Sequence, residues 1–289
     1  MRALSLYVLL FLSVSSTAQE ITPVQRFDQT GKFWMYWGYN RAWYTNSDIH
    51  IHGQDFDVNF YDVRAVDRPE KFGLKEYFSP TRLSIPQNNY RFGYVINQHW
   101  GVSIGIDHMK YVVVNGQEVT MSGVVLPATN RSNNYVGSYI NTPATLSRDL
   151  MRFEHTNGLN LFSVDAEYTC RVAKLFKEKF GIYWQTNAGI GMLVPKTEAH
   201  LFSDTQFPEG YGIDNKYHIA GYAASLRVGP EFRFLRNFFV KAQLRGGWII
   251  LPDVYINNEA PVRADHQFGF MQFNMTAGGY FPIRLRKKH

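Results

Sequence analysis

The sequence predicts an all-β chain closed into a transmembrane, antiparallel up-and-down barrel of eight strands with long extracellular loops. Three observations carry that prediction: eight segments alternate apolar and polar residues, their connections alternate between short and long, and no apolar stretch after Gln19 could cross a bilayer as a helix.

The N-terminus comes first. Arg2 supplies a positive charge, residues 3–16 form an apolar run broken only by small polar residues, and Ser16, Thr17 and Ala18 have the small side chains that signal peptidase reads. The run is shorter than the roughly 20 residues of a spanning helix, so residues 1–18 are expected to be a signal peptide and 19–289 a single barrel domain.

Composition agrees with a barrel. Mean hydropathy is −0.27, as for a water-exposed protein, yet aromatics make up 16% of the chain. A membrane barrel combines the two, because one face of each strand meets lipid and aromatic girdles mark both interfaces. A soluble β-sandwich also alternates and is the rival. Cys170 is the sole cysteine, which excludes an intrachain disulfide. The net charge of +6 owes part of its excess to the tail at 284–288, read as solvated terminal charge beside anionic headgroups; export makes nucleic acid an improbable partner.

The alternating segments are 32–45, 89–97, 102–114, 158–172, 181–194, a pair around 222–233 and 238–248, and 267–285. In the pair, Tyr222, Ala224, Leu226, Val228 and Phe232 share one parity, and Ser225, Arg227, Gly229, Glu231 and Arg233 the other. Successive Cβ atoms point to opposite faces, so each segment has a lipid-compatible side and a polar side. An even count lets the first strand pair with the last and remove both edges.

Connections decide between barrel and sandwich. Three are short, at 98–100, 174–179 and 235–237; four are long, at 46–88, 115–157, 195–216 and 252–266. Outer-membrane barrels have short periplasmic turns and long outer loops, which puts both termini in the periplasm. Hairpins are expected within the loops at 48–65 and at Asn115-Gly116, flanked by valine-rich runs. Were both hairpins to reach the bilayer, the count would rise to ten. A helical turn is expected near 70–78.

The inward parity collects Arg91, Asp107, Asp165, Glu167, Gln185, Asn187, Arg227, Glu231, Arg233, Lys241, Arg245, Gln272 and Asn274. An eight-stranded barrel has an interior that side chains can fill, so near-balanced charge there points to a paired polar core rather than a wide channel. A narrow small-solute path is the alternative.

Two constellations could carry chemistry. Glu154, His155 and Ser163, with Thr156, contain the base, acid and hydroxyl of an acyl hydrolase acting on lipid A or phospholipid. His155-Thr156-Asn157 loosely resembles the His-x-Ser-Asn motif of one lipid A deacylase family, but lacks the intervening residue and has Thr for Ser. His50 and His52, two apart on one strand face with Asp48, Asp55 and Asp57 nearby, could chelate a divalent ion. The aromatic series at 33–44 is read as interface anchoring. No cofactor motif is present in the sequence.

The runs at 33–44 (FWMYWGYNRAWY), 100–111 (WGVSIGIDHMKY) and 154–160 (EHTNGLN) resemble outer-membrane β-barrel proteins common in Bacteroidetes. The resemblance spans the mature chain and implies a barrel type rather than an activity. Barrels of this kind often end on an aromatic residue; here Phe281 precedes Pro282 and a basic tail. Function is therefore expected in the outer membrane, among lipid and lipopolysaccharide, through surface binding by the loops or as a subunit of an outer-membrane protein complex.

Overall fold

The computed structural model describes residues 28–70, 87–129, 131–175, 180–204, 206, 216–257 and 262–282. The expected signal peptide, the basic tail and most of the expected helical turn lie outside them. The strands are β1 (Lys32–Tyr44), β2 (Ser47–His52), β3 (Phe56–Val63), β4 (Ala65–Val66), β5 (Asn88–Val95), β6 (Trp100–Val113) and β7 (Glu118–Val125). They continue with β8 (Gly137–Thr145), β9 (Met151–Leu175), β10 (Phe180–Pro195), β11 (Glu198–Leu201), β12 (Gly221–Phe234), β13 (Phe238–Asn257) and β14 (Val262–Pro282).

An 8-strand antiparallel ring consists of β1, β5, β6, β9, β10, β12, β13 and β14, in chain order. β1 closes on β14 from Lys32↔Pro282 to Tyr44↔Phe270, so the ring has no open edge. Register partners lead from Tyr36 through Arg91, Gly105, Ser163, Gly191, Ala223, Ile249 and Phe268 around the ring. The path returns to β1 about ten residues further along, an offset that tilts the strands by roughly 35–45°. Lys32 and Pro282 mark one end, the turn end, where Leu235 and Arg236 adopt left-handed φ values of 50° and 71° to make the tight β12–β13 turn.

At the opposite end the wall grows beyond the ring. β2 pairs the upper part of β14 (Ile49↔His266 to His52↔Arg263), then β3, β7 and β8 follow in order; β4 adds to β6 and β11 to β9. The ring therefore keeps the eight strands expected, and the hairpin segments that would have made ten extend its wall instead. Two expectations are corrected. The expected loop at 252–266 is mostly strand, since β13 runs to Asn257 and β14 begins at Val262. Asn115-Gly116 does turn the chain, with Gly116 at φ 79°, but β6 and β7 do not pair. Both sides of the end of β6 are already taken, by β4 at Ala65↔Val113 and by β9 at Val112↔Glu154, so β7 is displaced to β3.

Polarity is inverted through the ring. Outward residues such as Met35, Phe92, Ile104, Val164, Ile190, Leu226, Leu244 and Met275 are apolar and exposed, while the charged residues of the same strands are buried inside. A soluble barrel has the opposite arrangement; this one matches a hydrocarbon surround. Above the belt both faces of the strands change role, and the inward side becomes an apolar core containing Ile49, Val58, Phe60, Tyr111, Phe153, Leu201, Ile249, Val262 and Phe268.

Candidate functional site

Three tiers fill the interior, and each follows from the inward parity of particular strands. The middle tier is a charged network. Arg91 on β5 reaches Asp165 of β9 at 3.1 Å and Asp107 of β6 at 3.4 Å, and donates to Ser163 Oγ at 2.8 Å. Arg227 of β12 bonds Asp165 and donates to Tyr36 OH at 2.8 Å. Arg245 of β13 bonds Asp107 on the far side of the ring and donates to Ser225 Oγ at 2.9 Å. Ser103 Oγ donates to Glu167 at 2.6 Å. Three guanidinium groups thus face three carboxylates, the balance that buried charge requires.

The second tier lies toward the turn end. Glu231 of β12 is shared by Arg233, by Lys241 Nζ at 3.3 Å and by the Tyr280 hydroxyl at 2.7 Å. Here two cations meet one carboxylate, and aromatic faces supply the remaining stabilisation. Arg233 lies 3.7 Å over the ring of Tyr183, and Lys241 lies 4.2 Å over Trp34 and 4.7 Å over Phe239. Small residues make room for these groups: a Cβ on Gly93 would sit 2.3 Å from the Trp34 ring, and one on Gly189 would sit 2.1 Å from the Asp165 carboxylate. The third tier is the apolar core above the belt.

The candidate hydrolase residues are not brought together. His155 points into the apolar core, where Nδ1 meets Thr197 Oγ1 at 2.9 Å and Nε2 faces His266 Nε2 at 3.4 Å, among Tyr111, Phe153 and Phe268. Burial, then the neighbouring His266, holds His155 well below the usual imidazole range; burial alone takes His266 to about 3. Glu154 points to the other face and pairs with Arg68 and Arg152 at 2.9 Å each, while Thr156 donates to it. Ser163 is eight residues further along the same continuous strand, roughly 26 Å at strand rise, and is part of the charged network. Alternation of faces and strand spacing separate base, acid and nucleophile.

The candidate metal ligands are also committed elsewhere. His50 Nδ1 bonds Asp265 at 2.7 Å and Nε2 bonds Asp57 at 2.9 Å. Burial pulls its pKa down, but hydrogen bonds and attraction from these carboxylates outweigh it, and the net shift is upward. An imidazolium with both N–H groups donating has no lone pair for a metal. His52 stacks on His50 with centroids 5.2 Å apart, and Asp48 accepts the backbone N–H of Asp62. Among the described residues no group of three or more His, Cys, Asp or Glu could hold a metal ion.

Sequence reasoning missed three contributors. Trp34 and Tyr36 had been grouped with interface anchors, yet both point inward at 2% exposure. Their parity with Gly38 and Asn40 was the available signal. His266 was missed as the neighbour of His155 because the two are separated by 111 residues.

A groove of about 960 Å³ crosses the outer wall, lined by outward residues including Phe92, Ile104, Val164, Ile190, Tyr222 and Trp248. It is the gap between two rows of lipid-facing side chains, at the depth of acyl chains, and not a site within the lumen. No protein-family model and no curated protein matches the chain. Among solved structures, the chain is similar to the outer membrane protein OprG of Pseudomonas aeruginosa (9% identity, 89% of this chain and 99% of that one, TM-score 0.42). It is likewise similar to the outer membrane protein AlkL (7% identity, 94% and 100%, TM-score 0.42) and to Ail, the attachment invasion locus protein of Yersinia pestis (11%, 87% and 99%, TM-score 0.31). These likenesses concern the fold.

Proposed function

We propose that the chain is an integral outer-membrane protein with a closed lumen, working through the wall that rises beyond the bilayer. Both termini lie in the periplasm, the apolar belt contacts lipid, and the extension stands among lipopolysaccharide. There it binds a surface ligand or joins an outer-membrane protein complex. The observation that carries this reading is the filled interior: paired charges span the ring from Asp107 to Arg245, cations stacked on aromatics fill the turn end, and an apolar core fills the other. With transport and the hydrolase constellation unsupported by geometry, the exposed polar face of β2, β3, β7 and β8 remains as the working surface.

Reconstitution into planar bilayers tests the closed lumen, with no ion conductance above the lipid baseline expected; steady single-channel steps would overturn it. Orientation is read from single cysteines in a Cys170→Ser background. A membrane-impermeant maleimide on intact cells should label Ser138→Cys, and should label Arg236→Cys only after permeabilisation. The reverse pattern would refute the placement. A detergent pull-down from native membranes, with and without residues 137–145, then tests the binding role; capture of the same components by both forms would count against this surface.

A further inference from the structure

Alongside the charged network, reaching down toward the turn-end cluster, lies a patch of uncharged inward groups. Asn187, Gln243, Gln272, Asn274 and Thr276, from β10, β13 and β14, are each no more than 2% exposed. Seven of their polar atoms hydrogen-bond to no protein group: Nδ2 and Oδ1 of Asn187, Nε2 and Oε1 of Gln272, Oε1 of Gln243, Nδ2 of Asn274 and Oγ1 of Thr276. Rotating the amides by half a turn does not remedy this, because Asn187 and Gln272 lack partners at both ends. The groups lie in adjacent rows of the inner wall. Asn187 and Gln272 belong to one row through Arg227 and Arg245, and Gln243 pairs Asn274 in the next row.

Buried polar groups in folded proteins are almost always satisfied, by protein or by ordered water. Among these seven atoms donors and acceptors are close to equal in number and none is charged, although Arg227 Nε, in the row between Asn187 and Gln272, also hydrogen-bonds to no protein group. An ion would satisfy one kind and repel the other, whereas water both donates and accepts.

We infer that this patch is the lining of a sealed hydration chamber, holding roughly two to four waters at about three hydrogen bonds each. The sealing rests on the closed lumen argued above. The apolar core shuts one end, and Lys241 and Arg233 with their aromatic partners shut the other.

The test uses the refolded full-length mature chain in lipid nanodiscs. Water–amide NOEs of the sign given by long-lived bound water should appear at the side-chain NH2 groups of Asn187, Gln272 and Asn274. Osmotic water permeability of proteoliposomes, by stopped-flow scattering, should equal that of protein-free vesicles. Gln272→Leu should abolish the NOE at Asn274 or reduce it several-fold while the backbone spectrum of the ring is kept. Absence of the NOEs in the native chain overturns the chamber and leaves the closed lumen standing. NOEs together with raised permeability overturn the sealing, and ion conductance would overturn the closed lumen itself. Should Gln272→Leu fail to fold, the native chain still decides between these outcomes.

Discussion

Glu231→Gln preserves the shape of a side chain while removing the charge that Arg233 and Lys241 share. The wild-type carboxylate is fully buried, receives the Tyr280 hydroxyl and lies beside both cations. Removing one partner of a buried ion pair costs about 3–5 kcal/mol, because the remaining charge stays desolvated. Aromatic faces retain part of the stabilisation, at about 0.5–2 kcal/mol for each stacked cation, and Gln can still accept the tyrosine proton. A net loss of about 2–4 kcal/mol is therefore expected. It can be measured by urea unfolding in lipid vesicles, followed by tryptophan fluorescence and by the heat-dependent shift of the folded barrel on gels. Adding Lys241→Met should restore a good part of the loss, since the double variant no longer buries that lysine without its carboxylate. A change below about 1 kcal/mol, the level of an exposed pair, would refute the reasoning. Raised conductance with unchanged stability would instead show that Glu231 closes a path rather than holding a core.

Two histidines should respond to pH with opposite sign. His266 is held neutral, its pKa taken from 6.5 to about 3 by burial, so its contribution is complete above pH 6.5 and is lost as pH falls toward 3. At pH 5 the loss is about 2 kcal/mol, from 1.36 kcal/mol per unit. Limited proteolysis of the extension should accelerate in acid, and less so in His266→Phe. His50 has a raised pKa, so the tie it makes between β2, β3 and β14 is complete below pH 6.5 and fades as pH climbs through its folded value. Amide exchange at 49–51 should be slower at pH 6 than at pH 8 after correction for intrinsic rates. Zinc titration of the wild-type chain should produce no binding isotherm attributable to His50 and His52; one abolished by His50→Ala would contradict the paired imidazolium. Gly93→Leu should destabilise the ring by about 1–3 kcal/mol through overpacking against Trp34, measured as a lower urea midpoint.

The ring was legible because lipid on one side and a polar interior on the other force strict alternation, as at Arg227, Gly229, Glu231 and Arg233 against Val228 and Phe232. Legibility fades where the wall leaves the hydrocarbon. Ile249, Ile250 and Leu251 are consecutive apolar residues of β13, two of them within the core and one outside, and no period of two survives there. The pairing of β2 with β14 joins residues more than 200 positions apart, and no local pattern specifies it. The separation of His155 from Ser163 became evident once 151–175 proved to be one strand, which the polar residues at 154–157 had disguised as a loop.

β14 has two neighbours on the same side, β1 below and β2 above. β14 therefore completes the ring and also provides the foundation for the extension. Neither structure can reach its final pairing before β14 is available, and both must close chain segments spanning most of the described residues, a slow kind of ordering. The upper wall is thus not a module that could be transplanted by exchanging a loop. A shortened C-terminus would sacrifice membrane anchorage and surface architecture at once, whereas grafts confined to residues 137–145, on the outermost strand, would leave that seam intact.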